Sequence, residues 1–217
     1  MSAISEIIVR EYFEIHGFLV RQQRKYIPRT EREDEEMDFL VYNPEPKGAI
    51  QSYPIVLDSQ SLKAVSCAIV SVKGWHTDLV SPSVIKKMEP DIERFVEKDY
   101  RKYYSSFKES VEPMAMIRIL VIPSITSNPE QRQKTVELLY KMGIEGVIQF
   151  RTILWDLINY VQVNHNYLKS DVLQVIRILK AYDVFKEPQL TLFERRRRGK
   201  KAQTNPSKQD TSADGEY

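Results

Sequence analysis

The 217-residue chain contains a single cysteine, Cys67. One thiol excludes an internal disulfide framework, and its place inside an apolar, strand-like run reads as a small buried residue rather than a nucleophile. No uninterrupted apolar run approaches the roughly 18–20 residues that a bilayer span needs. The opening segment Met1-Ser2-Ala3-Ile4-Ser5-Glu6 has no basic stretch followed by an apolar one, so no secretory signal is expected. Internal repeats are also lacking. The expected location is the cytoplasm, with no membrane partner.

What is present is the balance of a globular protein, 42% hydrophobic and 29% charged, with length enough for one core and a tail. The net charge of +2 hides an asymmetry. Arg195, Arg196, Arg197, Arg198, Lys200 and Lys201 put six positive charges into seven positions. Residues 194–217 hold seven basic and four acidic side chains, so the rest of the chain is close to neutral. Such a block fits a phosphate backbone or an acidic surface, and it equally fits a solubilising tail. Residues 200–217 are poor in apolar side chains and read as disordered. The division expected is a folded domain over 1–185 and a tail over 186–217.

Periodicity predicts a helix over 3–16, with Ile4, Ile7, Ile8 and Ile15 on one stripe and Gly17 ending it. Strands follow at 18–26 and 37–42, separated by a solvated acidic loop, and Asn43 to Gly48 supplies turn chemistry. Residues 53–58 read as a short edge element because Pro54 argues against a central strand. Ala64 to Val72 is β-branched and apolar, as for a strand buried on both faces. Ser81-Pro82 opens a helix to about Lys108, with a break expected at Pro90. A strand at 117–122, a helix from Asn128 to Gly143, a strand at 146–150 and helices at 152–163 and 168–182 complete the order. Helices alternating with apolar strands imply a three-layer α/β domain around a mixed sheet.

Chemistry concentrates on two of these strands, Met37-Asp38-Phe39-Leu40-Val41 and Val70-Ser71-Val72-Lys73. Side chains alternate along a strand, so Ser71 and Lys73 face one way, and Asp38 on a neighbouring strand reaches the same crevice. A divalent ion there would take oxygen from Asp38, a backbone carbonyl around Val72, and water, a donor set suited to Mg²⁺. Lys73 would offset charge on a phosphoryl transition state. On the helix expected over 3–16, Glu11 lies within the isoleucine stripe and Glu6 lies opposite it. Burial therefore favours Glu11 as an extra acid, with a salt bridge as its bland alternative. His76 reads as a turn histidine or a phosphate contact, and Trp75 as a packing or base-stacking ring. Arg21, Arg24 and Lys25 fit phosphate contacts and a solvated strand face equally well.

The arrangement resembles the PD-(D/E)XK nuclease superfamily, whose core has the order αβββαβ. Among its members the archaeal Holliday junction resolvases are similar: a helix-borne Glu eleven residues before Gly-Phe, a "VDLV"-type strand, then an "IEVK"-type strand. Glu6 stands eleven residues before Gly17-Phe18, Met37 to Val41 supplies the second element, and Val70 to Lys73 the third. The resemblance spans about residues 4–150 and implies a restriction-endonuclease-like fold. It also implies Mg²⁺ (or Mn²⁺) as cofactor, Asp38, Glu6 and Val72 as ligands, and Lys73 as charge stabiliser. Ser71 departs from it, since a hydroxyl stands where the family has an acid. The acid has moved to Glu6, Glu11, Glu89 or Asp58; or the site is degenerate; or the likeness is ordinary α/β packing.

Gln189-Leu190-Thr191-Leu192-Phe193, next to the basic block, resembles the bacterial sliding-clamp-binding peptide Gln-Leu-(Ser/Asp)-Leu-Phe. An extended peptide of this kind seats Leu192 and Phe193 in an apolar pocket while Gln189 sets register; a terminal strand is the alternative. The partners implied are DNA and the sliding clamp, with a homodimer compatible. The expected function is a clamp-tethered, nucleoid-associated DNA endonuclease. The alternatives are a catalytically degenerate DNA-binding or clamp-associated adaptor on the same fold, and a restriction-associated protein.

Overall fold

In the computed structural model the described residues are 3–22, 38–48, 54–73, 79–101, 104 and 116–185. The chain divides into two compact units, Met1–Arg177 and Ile178–Tyr217. The first unit is built on a five-stranded mixed sheet. Its strands, in spatial order, are β1 (Leu19–Gln22), β2 (Phe39–Tyr42), β3 (Cys67–Val72), β5 (Met116–Ile122) and β7 (Gly146–Gln149). β1, β2 and β3 pair antiparallel, whereas β5 and β7 run parallel to β3. Two-residue strands β4 (Leu79–Val80) and β6 (Ser124–Ile125) pair separately; two-residue runs carry no periodicity to find them by.

Helices cover both faces. Phe39, Val41, Val70, Val72, Ile119 and Val121 share a core with Val9, Tyr12 and Phe13 of α1 (Ala3–Ile15) and with Ile153 and Leu157 of α4 (Phe150–Tyr160). Leu173 and Ile176 of α5 (Asp171–Ala181) join the same cluster. On the other face Leu40, Ile69, Leu120 and Ile122 pack against Ile85, Met88 and Ile92 of α2 (Pro82–Arg94) and Leu139 of α3 (Pro129–Lys141). All six residues of β3 are buried, as a β-branched run between two helical layers should be. Each fully buried Val, Leu or Ile contributes about 1.5–3 kcal/mol of transfer free energy.

Helix ends follow local chemistry. Gly17 takes φ 86° where α1 stops, and Phe18 N–H bonds back to the Phe13 carbonyl at 3.0 Å. Asn128 caps α3 by accepting from Gln131 N–H at 3.2 Å. Ser81 precedes α2 in an extended conformation without a side-chain capping bond, its hydroxyl meeting that of Ser83 instead. Residues 54–58 run along β7: Val56 bridges Val147, and a Cβ at Gly146 would meet Leu57 at 2.7 Å, which explains the glycine.

Three expectations are corrected. Pro90 does not break α2, which continues to Arg94 and then widens into a π-type turn over Phe95–Asp99. The bond that Pro90 forfeits would have ended on the carbonyl of Lys86, an exposed residue on the solvent side of the helix. Ala64 belongs to a short 3-10 turn (Ser61–Ala64), and β3 begins only at Cys67. The isoleucine stripe of α1 is not its buried face, although Ile8 and Ile15 pack part-buried against the core. Ile4 is 66% exposed and Ile7 45%, while Ile4 and Ile8 line a shallow apolar groove with Phe150 and Leu154 of α4. The buried face is the one carrying Ser5, Glu6, Val9, Tyr12 and Phe13.

Of the second unit, residues 178–185 are described. They contain the end of α5 and its left-handed stop at Asp183 (φ 57°), where Val184 N–H bonds the Leu179 carbonyl at 2.9 Å. Among the described residues no helix is long and apolar enough to cross a membrane.

Candidate active site

The register of β2 and β3 sets Phe39 opposite Val70, and Asp38 precedes Phe39 just beyond the paired residues. Asp38 N–H bonds the Val70 carbonyl at 2.9 Å, so Asp38 and Phe39 both lie against Val70. Lys73 N–H points toward β5, donating to the Val121 carbonyl at 2.8 Å. Backbone groups alternate along a strand, so the N–H and C=O of Val72 point the opposite way, toward β2. The Asp38 side chain meets them there, and its Oδ2 accepts Val72 N–H at 2.6 Å. This short, charge-assisted bond fixes the carboxylate at the end of the β2–β3 ladder, beside the Val72 carbonyl.

Ser71 is fully buried beside Leu120 of β5, and its hydroxyl makes no hydrogen bond. Lys73, two residues on and on the same face by alternation, is 6% exposed. Glu6, in the first turn of α1, is 3% exposed, and its Oε2 accepts from Gln22 Nε2 at 2.9 Å. Gln22 ends β1 opposite Phe39, one rung from Asp38. Glu6, Asp38 and Lys73 each make further interactions.

The structure therefore gathers Asp38, Ser71, Val72 and Lys73 at the carboxyl end of β3; Glu6 lies at the same end of the sheet but on the face covered by α1, whereas Ser71 and Lys73 share the Ile69 face toward α2. Glu11 lies elsewhere, against the Ser170 hydroxyl that caps the start of α5. Partial burial raises the Glu11 pKa, Glu14 adds to the shift, and Ser170 and Arg10 oppose it. The burial argument that favoured Glu11 thus reverses in favour of Glu6. Asp58 is exposed and holds Ser61 and Gln60 in a turn, with its pKa lowered chiefly by those bonds. Glu89 is exposed on α2. Cys67 is buried, and desolvation pushes its thiol to about 11, which suits packing and not nucleophilic attack.

Gln22 escaped the sequence reading. Its only signal is an amide on the inward row of β1, where Val20 precedes it. Arg21 is exposed on the outer row. Trp75, His76, Arg24, Lys25, the peptide Gln189 to Phe193 and the block Arg195 to Lys201 lie outside the described residues.

Among the described residues no three His, Cys, Asp or Glu side chains group to hold a metal. The oxygen donors gathered there are Asp38, the Val72 carbonyl and the orphaned Ser71 hydroxyl, with Glu6 at the same end of the sheet on the α1 side. They are all hard, the kind Mg²⁺ or Mn²⁺ takes together with water. No family model, no curated protein and no solved structure matches the chain.

Proposed function

We propose that the chain is a DNA-processing protein, a Mg²⁺-dependent, endonuclease-like phosphodiester hydrolase tethered to a sliding clamp. The observation that carries this reading is the Asp38 carboxylate held at 2.6 Å on the N–H of Val72, the residue between Ser71 and Lys73. The succession α1, β1, β2, β3, α2, β5 supports it, being the αβββαβ order of the PD-(D/E)XK superfamily. So does the site's position outside the carboxyl end of a parallel strand, where open α/β sheets place their ligands.

Asp38, Glu6 and the Val72 carbonyl would hold the cation. When bound, it supplies Lewis-acid polarisation of the phosphate and a more acidic water. The chain's own residues do the positioning. Val72 N–H keeps Asp38 in one rotamer before substrate arrives, and Lys73 offsets the negative charge that grows on the phosphoryl oxygens. Gln189 to Phe193 would engage the clamp, and Arg195 to Lys201 the DNA backbone. Together they hold a weakly binding domain near duplex by effective concentration.

A second reading, a catalytically degenerate DNA-binding or clamp-associated adaptor, is favoured by Ser71, which offers no charge where the family has an acid. Incubation with branched, nicked and single-stranded DNA in Mg²⁺ or Mn²⁺ separates the two. The enzyme cleaves, and Asp38→Ala and Lys73→Ala abolish cleavage. No cleavage of any substrate, or cleavage untouched by both changes, overturns the hydrolase. Deleting residues 189–193 should abolish capture by a bacterial sliding clamp, and unchanged capture refutes the tether.

A further inference from the structure

A groove of about 660 Å³ runs between α2 and α3, and it shares no residue with the candidate site. We infer that it is a docking surface for a partner protein, and that the segment it takes is a basic amphipathic helix.

The floor of the groove is apolar. Ile85 of α2 and Val96 of the π-type turn line it from one side, Leu138 and Met142 of α3 and its end from the other. Ile85 is buried in the core, whereas Val96, Leu138 and Met142 are only part-buried and keep apolar surface in contact with water. Met142, unbranched and polarisable, adapts to the shape of an incoming side chain. One rim is acidic. Glu89, Glu93 and Glu97 recur every four residues along α2 and the turn that extends it, and all three are exposed. None forms an ion pair with a described residue. Like charges four apart oppose the helix that carries them, so this ridge costs α2 stability unless something positive lies against it. Lys86 and Lys141 also border the groove without pairing to these carboxylates, and three carboxylates against two ammonium groups leave it net negative.

Charge selects the occupant. The ridge repels phosphate, which excludes a nucleic acid or an anionic bilayer, and it attracts Lys or Arg. The backbone selects its conformation. Helical N–H and C=O groups bond internally, so the flanks of α2 and α3 offer side chains, and an extended segment laid there would leave its own backbone groups unpaired against the apolar floor. A helix satisfies its backbone by itself. Its apolar stripe presses on Val96, Leu138 and Met142, while cations four residues apart meet glutamates spaced by the same rise of about 6 Å.

Fluorescence anisotropy on the full chain tests this with a labelled helical peptide of about 18 residues, its leucines in an i, i+4 stripe flanked by lysines. A twin peptide with glutamate in place of each lysine is the control. The lysine peptide should bind and the glutamate peptide should not. Glu93→Lys should weaken binding of the lysine peptide by about fivefold or more, because it removes one attraction and adds a repulsion. Glu45→Lys, the same charge change at an exposed residue outside the groove, should shift it by less than about twofold. Met142→Gln, on the floor, should also weaken binding, with cooperative melting as the folding control. If that variant does not melt cooperatively, the comparison of Glu93→Lys with Glu45→Lys decides alone. No binding of the lysine peptide, equal affinity for the two peptides, unchanged affinity in a folded groove variant, or an equal loss in Glu45→Lys overturns the inference.

Discussion

Lys73 and Arg118 are cations on neighbouring strands, and alternation with parallel register puts them on the same face of the sheet. They sit at opposite ends of it. Arg118, near the start of β5, is satisfied by its surroundings. Its Nε and its own backbone N–H both donate to Glu145 Oε2 at 3.0 Å, and its guanidinium lies 4.6 Å from the centre of the Tyr100 ring. That cluster ties β5 to the loop before β7 and to the turn after α2, and nothing in it resembles a reaction centre. Lys73 follows the last residue of β3, beside a fully buried serine with an unpartnered hydroxyl and across from a carboxylate held by backbone. The same charge on the same face is a strut at one end and part of a candidate site at the other. The parallel strands direct their carboxyl ends to only one of them.

The sharpest way to break this comparison is to exchange the phenotypes. Lys73→Met should cut cleavage by at least about 10²-fold while the protein still melts cooperatively; loss of folding in place of activity would make Lys73 a second strut. Arg118→Met should leave cleavage within a few-fold and lower stability by roughly 1–2 kcal/mol in urea titration, since the pair is only partly buried. Cys67 shares the Arg118 end of the sheet, pairing with Met116. With its thiol near 11, alkylation at pH 8 should be slow in the native chain and faster in Arg118→Met, read by mass spectrometry. Equal rates would show that the strut does not hold that end shut.

The smallest effect expected concerns Glu11. Its folded pKa lies above the unfolded value of about 4.3, so the folded state binds the proton more tightly. The associated stability is full below the unfolded value and is lost as pH rises through the folded one. Glu11→Gln should therefore raise the melting midpoint at pH 7 by roughly 1–2 °C and leave it unchanged near pH 4. A drop at pH 7 would mean that the Ser170 contact outweighs desolvation.

Much of the sheet was legible because its central strands are β-branched runs that fit nothing else. Period-2 alternation was enough to put Ser71 and Lys73 on one face, and the pairing of β2 with β3 brings the Asp38 carboxylate onto Val72 N–H. The orientation of α1 was not legible. The helix offers an isoleucine stripe and, opposite, a face with Val9, Tyr12 and Phe13, and hydropathy ranks the first above the second. The fold chooses the second, where two aromatic rings fill the space over β2 and β3 and Glu6 finds Gln22. Pro90 misled for a related reason: the penalty of a proline in a helix depends on whether the orphaned carbonyl faces core or water.

By itself the sequence determined the strands, their alternation and the chemistry they carry, because these depend on neighbours one to four residues away. Which glutamate of α1 is buried at that end of the sheet was decided only by the tertiary structure. That choice depends on which face of α1 fits the sheet, and on a hydrogen bond to Gln22 that exists only once helix and edge strand have packed.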